Sequence, residues 1–357
     1  MANNVLAYGF VDLASLMAER VTTTNMAQVF DAVRASTAEH TRQINAMMAS
    51  FVSPTTEYST RYHLAAQGTL QPLDEHGNPR PVIEAGYWDV AFPIFDAGTA
   101  WGTDRVTRAK ETVDDVNRHV LGAMQRDADW MRRHMLAALF YEANWTYADP
   151  LYGSLTIKPL ANGDTDTYVM TDGVGATDDH YLAQAAAIAD ATNPFDDIYE
   201  ELMEHPSNAN AQVVVYVPTA LLATTRALTA FIERDPSNVR VGVNTSVMAG
   251  EVEVGPGHRF EGMVNDCAIV HWRNLPATHM VATARGADPA LRMRQEPEAA
   301  LQGFFTEEFD VDGNHQGIRM LRRCGFGVAN RTAAVVQYIG SGTYAEPTGY
   351  DVMPLAI

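Results

Sequence analysis

Basic residues are scarce in this chain of 357 residues: 25 Lys and Arg stand against 44 Asp and Glu, a formal net charge of −19. A protein that grips DNA or RNA through its phosphates needs clustered cations, so the balance argues against that class. It does not argue against enclosing nucleic acid, because a container wall works better when it does not adhere to its contents. Lysine is nearly missing. Lys110 and Lys158 are the whole set, and every other basic residue is arginine, whose planar fork suits two-point pairing with carboxylates at interfaces. A GC-rich genome would produce the same bias.

Cysteine is just as rare. Cys267 and Cys324 cannot build a disulfide framework or a four-thiolate metal site, and a reducing compartment is expected. No run is long and uncharged enough to span a membrane. The N-terminus, MANNVLAYGFVDLASLMAER, lacks a basic start and carries Asp12 and Glu19, unlike a signal peptide. Synthesis in the cytoplasm follows, so the Asn-X-Thr/Ser triplets at Asn144, Asn244 and Asn330 are read as chance.

The motifs of common chemistry are missing too. There is no G-x-S-x-G, H-E-x-x-H or C-x-x-C, and neither lysine follows a glycine-rich phosphate loop. Gly325 and Gly327 give G-x-G, but position 330 is Asn and the following TAAVVQYI is strand-like where a dinucleotide fold needs a helix N-terminus. DVDGN (310–314) starts like a calcium loop and lacks its later glycine and closing glutamate. His119 and His134 share a helix at a spacing too wide for one metal and read as packing or surface residues. The acidic clusters Asp178-Asp179-His180 and Asp196-Asp197 could hold a metal or act as a base. Both are placed at helix starts, where carboxylates meet the helix dipole favourably. No catalytic, cofactor or metal residue is assigned.

What is present is an abundant apolar fraction, 46% hydrophobic against 19% charged. That makes a large globular protein with room for two domains and few charges to cover a monomer's surface, which favours buried subunit contacts.

Along the chain, a Thr-rich stretch to about residue 24 precedes apolar residues at helical spacing from Met26 to Phe51, with an interruption expected near Ser36. This early apolar face needs a cover, for which a neighbouring subunit is one option. Residues 53–102 read as a long hairpin around the tip DEHGNPR, broken by Pro72, Pro79, Pro81 and Pro93 and resembling an arm. The clearest helix spans about Val106 to Ala143, roughly 55 Å at 1.5 Å per residue. SLTIKPL and TDTYVM then suggest a hairpin turning at Asn162 and Gly163.

The middle alternates. Thr177 is expected to cap a helix running to Ala191, and Asn193-Pro194 to open another with Phe195, Ile198 and Leu202 on one face. QVVVYVP, RVGV, CAIVHW and HMVATA read as strands, with a helix from Thr219 between the first two. GFFTEEFDV and GIRMLRRCGFGVANRTAAVVQYI flank Asp312-Gly313-Asn314 as a terminal hairpin.

This order of arm, long hairpin, very long helix, α/β domain and returning strands resembles the major capsid proteins of tailed bacteriophages, the Hong Kong 97-type fold. The likeness is strongest in NLPATHMVATAR (274–285), LRMRQEP (291–297) and GIRMLRRCGFGVANRTAAVVQY (317–338). It implies an α+β chain with an N-terminal arm (1–52), an extended loop (53–102), a peripheral domain with its spine helix (103–175), an axial domain (176–285) and peripheral return strands with a tail (286–357). The implied function is a coat protein that assembles as hexamers and pentamers, in the host cytoplasm, into an icosahedral shell around double-stranded DNA. Scaffolding, portal and decoration proteins are its expected partners, with no membrane and no cofactor.

The extended loop would lie over a neighbouring subunit. Glu75, Asn78, Arg80, Tyr87, Trp88, Phe92 and Trp101 are its contact candidates, and the aromatic ones could instead pack within the arm or on the long helix. Arg132 and Arg133 could pair with acidic loop residues across subunits or face solvent. The loop tip has no lysine for the isopeptide cross-links of some family members, and no obvious charged scaffolding domain stands ahead of the arm, so either the scaffold is a separate protein or a leader has been removed. An encapsulin-type nanocompartment shares the fold and is the alternative, with an acidic metal-dependent enzyme as a remote third reading.

Overall fold

The computed structural model describes residues 6–7, 11–12, 26–49, 51–63, 73–78, 87–163, 165–171, 175–233, 258–311 and 315–355. Most of the Thr-rich arm, the prolines at 72, 79 and 81, RVGV and the Asp312-Gly313-Asn314 turn lie outside them. The chain divides into two compact units, one built from 1–46, 94–134 and 295–325, the other from 47–93, 135–294 and 326–357. No helix among the described residues is long and apolar enough to cross a membrane.

Helix α1 (Met26–Met48) runs through Ser36 without a break. Thr37, where an interruption would fall, is buried and turns its hydroxyl onto the Arg34 carbonyl at 3.0 Å, so its polar group is satisfied inside the helix. Strand β1 (Val52–Thr55) follows. The expected long hairpin ends before residue 102: among the described residues β2 (Ser59–His63) pairs antiparallel with β3 (Tyr87–Ala91), Thr60 opposite Val90. The downstream residues form a separate strand, β4 (Phe95–Asp104), that pairs with the C-terminal part of the chain.

The long helix is also shorter. Asp104 caps a one-turn helix (Arg105–Arg108), its Oδ1 accepting from the amides of Val106 at 2.8 Å and Thr107 at 2.6 Å. A new helix, α2, covers Val113–Phe140. Thr112 and Asp115 close a reciprocal capping box, Thr112 Oγ1 accepting from the Asp115 amide and Asp115 Oδ2 from the Thr112 amide. At 28 residues α2 spans about 42 Å.

Beyond it, β5 (Trp145–Asp149) pairs with β6 (Gly153–Ile157), so SLTIKPL folds back on the residues before it rather than turning at Asn162. Strand β7 (Thr167–Val169) pairs with β8 (Gly175–Thr177). The helix expected from Thr177 does not form. Thr177 ends β8, and β9 (Tyr181–Gln184) follows within a few residues. Helix α3 (Pro194–Met203) starts as expected, with the Asn193 side chain accepting from the Phe195 amide and Pro194 in the first turn.

After it come β10 (Gln212–Val217), α4 (Thr219–Arg226), β11 (Phe231–Glu233), β12 (His258–Val264), β13 (Cys267–Trp272), β14 (His279–Arg285), β15 (Leu291–Gln295), β16 (Phe304–Val311), β17 (His315–Val328) and β18 (Ala334–Ile339).

In the first unit, β16 and β4 flank β17, both antiparallel to it, with Val311 opposite His315 and Asp104 opposite His315. Val29, Phe30 and Val33 of α1 pack with Val116, Val120 and Ala123 of α2 and with Trp101, Phe304, Ile318 and Met320. The early apolar face is therefore covered by this chain itself.

The second unit is organised on a seven-stranded sheet, in the order β9-β18-β14-β10-β13-β12-β11. The pairs β9–β18 and β10–β13 are parallel and the others antiparallel. Val213 to Val217 are all buried, which explains their continuous apolar run: a central strand covered on both faces needs no alternation. Phe195, Ile198 and Leu202 of α3 are fully buried on Val213, Val215, Ile269, Met280 and Val335. Burying these three side chains contributes roughly 1.5–3 kcal/mol each.

Candidate assembly elements

The β2–β3 hairpin is the clearest candidate for reaching a neighbour. Its described tip, residues 73–78, is closed by Asp74, whose Oδ1 accepts from the amides of His76 at 2.9 Å and Asn78 at 2.8 Å. These bonds hold the Asp74 carboxyl below the usual carboxylate range, the Asn78 amide foremost. Gly77 has φ +77°, a conformation that side-chain-bearing residues resist. Glu75 and Asn78 are exposed there, with Leu73 beside them at 61% exposure. Lower down, Arg61 and Asp89 pair across the two strands, Nε to Oδ1 and Nη2 to Oδ2, both at 2.7 Å.

The other sequence candidates divide. Arg80 lies outside the described residues. Tyr87 and Trp88 take their places in β3 opposite His63 and Tyr62. Phe92 and Trp101, however, belong to their own chain's interior. Phe92 is 0% exposed, packed with Val90 and Ala329, and Trp101 sits in the apolar cluster of the first unit. Arg132 bonds Asp129 one turn back at 2.9 Å, and Arg133 is exposed. His134 packs on Trp130 and Phe95 with ring centroids at 4.2 and 5.1 Å, the packing role expected of it.

Gly327 shows why the G-x-G pair is there. A Cβ on it would fall 2.7 Å from Phe92 Cδ1 and 3.0 Å from the Ala91 carbonyl oxygen, so the missing side chain lets the base of the hairpin approach β17.

Two buried ion pairs, invisible in the sequence, fix these elements. Arg294 Nη1 reaches Asp149 Oδ2 at 2.7 Å and the Phe92 carbonyl at 2.9 Å. Asp149 also accepts from the amides of Leu151 and Tyr152, which turns the β5–β6 hairpin. Burial raises the Asp149 pKa, but these bonds outweigh it and the net shift is downward. In the first unit, Arg322 and His40 share Asp127.

Little of this can do covalent chemistry. Burial pushes the thiols of Cys267 and Cys324 up to about 12, so both are poor nucleophiles at neutral pH. Asp196 and Asp197 occupy the first turn of α3, as expected, and Asn265 donates to Asp196. Asp178 and His180 correct the expectation. They lie between β8 and β9, away from any helix start, and their side chains converge with His205 from beyond the end of α3.

No protein-family model and no curated protein matches the sequence. Among solved structures, one from Mycobacterium phage Patience is similar over 99% of both chains, at a TM-score of 0.69 and 18% identity. The asymmetric unit of the bacteriophage PhiM1 mature capsid is similar at a TM-score of 0.49 and 11% identity, over 81% of this chain and 84% of that one. A Gordonia phage Cozz structure is similar at 0.47 and 12% identity, over 84% and 87%. The end-to-end match at 0.69 shows that this chain has the α+β Hong Kong 97-type fold that the order of its elements implies.

Proposed function

We propose that this chain is the major capsid protein of a tailed bacteriophage, a structural protein that assembles with copies of itself into an icosahedral shell. The observation that carries this reading is the match to the Mycobacterium phage Patience structure along 99% of each chain. A narrow two-stranded hairpin with an exposed tip agrees with it, because such an element is marginal alone in water and gains from lying on another surface.

Within this reading, residues 1–52 serve as the arm, 53–102 as the extended loop, 103–175 as the peripheral domain, 176–285 as the axial domain and 286–357 as return strands and tail. Glu75, Asn78, Arg80, Tyr87, Trp88, Arg132 and Arg133 remain as contact residues between subunits. The shell is acidic, encloses DNA without sequence-specific binding, and is assembled in the host cytoplasm with scaffolding, portal and decoration proteins as partners. Sedimentation of the purified full-length protein tests the proposal. Particles of several megadaltons are expected, and a small discrete oligomer under all assembly conditions would overturn it.

A further inference from the structure

We propose that Asp178, His180 and His205, with Glu201 and Glu204 beside them, bind one divalent cation of zinc type inside the second unit. One ligand atom from each of Asp178, His180 and His205 lies within 4.8 Å of the others, and the same holds for Asp178, Glu201 and Glu204. The two groups share Asp178, which meets two imidazoles in one and two further carboxylates in the other. His205 Nε2 is 3.1 Å and His180 Nδ1 3.4 Å from Asp178 Oδ2. Donors about 2.0–2.2 Å from a tetrahedral zinc ion stand about 3.4 Å apart, so little movement separates this arrangement from coordination.

The protons of the two histidines point the same way. His205 faces an acceptor on each side, Asp178 Oδ2 from Nε2 and the Val169 carbonyl from Nδ1 at 3.4 Å. A neutral imidazole has one N–H, so one of these contacts sets a lone pair against an acceptor unless a positive charge enters. His180 is 1% exposed, and its Nε2 has no hydrogen-bond partner among the described residues. The nitrogen of His180 that faces Asp178 is Nδ1, so an ion would reach this ring either through Nδ1, replacing that contact, or through the unpartnered Nε2.

Two imidazoles with carboxylates suit zinc, whereas magnesium and calcium take oxygen donors. Bound there, the cation would staple the β8–β9 link to the end of α3, next to the bond in which the Thr171 amide of the β7–β8 link donates to the Glu204 carbonyl at 2.7 Å. The proposal stands apart from the capsid reading and survives its failure.

The test uses full-length protein stripped with EDTA and titrated with ZnCl2. One zinc per chain is expected by calorimetry and elemental analysis, with Tm rising about 5 °C at a hundredfold excess over Kd and no response to magnesium. Cobalt in its place should give the visible absorption of a four-coordinate nitrogen and oxygen site. His205→Gln should weaken zinc binding at least hundredfold and Glu201→Gln about tenfold. Failure of the unmutated protein to take up stoichiometric zinc overturns the proposal. So does uptake that persists unchanged in both His205→Gln and Asp178→Asn, or a Tm that responds to pH and not to zinc, which would make the cluster a proton site.

Discussion

Arg322 of β17 grips Asp127 of α2 in a buried two-point ion pair, Nε on Oδ1 and Nη2 on Oδ2 at 2.6 Å, and His40 of α1 meets the same carboxylate at 2.9 Å. Both partners of the pair are nearly inaccessible, at 2% and 3% exposure. Three elements distant in sequence are thereby joined at one carboxylate. Removing that carboxylate strands an arginine in the interior. Asp127→Ala should destabilise the unassembled subunit by about 3–5 kcal/mol in urea denaturation, and Asp127→Leu with Arg322→Met should recover most of the loss. Equal losses in the single and double variants would show that the pair's charge is not what matters.

Acid should weaken the subunit below about pH 6.5, where its buried histidines oppose protonation. Burial holds His134, His258 and His279 each down to about 4, aided at His134 by Arg133 and opposed at His279 by the Ala345 carbonyl. Unfolded, these rings take a proton near 6.5. The unfolded chain therefore binds more protons between about pH 6.5 and 4. Stability is fully present above 6.5 and is lost as pH falls through that window, each ring contributing up to about 1.4 kcal/mol per pH unit. The Glu201 carboxyl, raised to about 8 by burial and then by Asp178, works the other way between about pH 8 and 4.5 and offsets about one ring, so urea midpoints measured in EDTA should fall from pH 6 to pH 5. A flat profile would contradict the burial of these rings.

Gly327→Ala should cost about 1–3 kcal/mol, because the new methyl meets the backbone oxygen of Ala91 as well as the Phe92 ring. Gly342→Ala, with nothing within 4 Å of its Cβ, should be near neutral. Thermal melts of the two variants side by side check the difference.

Deleting residues 73–78 and rejoining the hairpin should leave the subunit's melting temperature within about 1 °C, since Glu75, His76 and Asn78 are exposed and the Asp74 carboxylate bonds within the turn. Assembly should be impaired. Normal yields of shells from this variant would remove the tip from the contacts between subunits. Loss of residues 1–24 should act in the same direction, sparing the fold and reducing assembly.

Much of the fold was legible where the signal is local. Asn193-Pro194 announced α3, and QVVVYV, CAIVHW and HMVATA announced three central strands, because continuous apolar runs report burial on both faces. The long helix was overextended because its apolar spacing runs through residues 106–112. The capping signal at Thr112 and Asp115 was in the sequence and weighed less than periodicity. Thr177 was misassigned because a threonine before an acidic pair resembles a helix cap, while its strand pairs with Thr167.

What sequence could not show is long-range pairing. Arg294 with Asp149, Arg322 with Asp127 and β4 with β17 join residues far apart along the chain, and nothing at either end names the other. For the same reason Phe92 and Trp101 looked like contact residues until their own cores were visible.

Electron cryo-microscopy of particles purified from the full-length protein tests the central claim most directly. Closed icosahedral shells are predicted, with each β2–β3 hairpin resting on an adjacent subunit. Discrete small oligomers, or hairpins folded onto their own subunits, would contradict it.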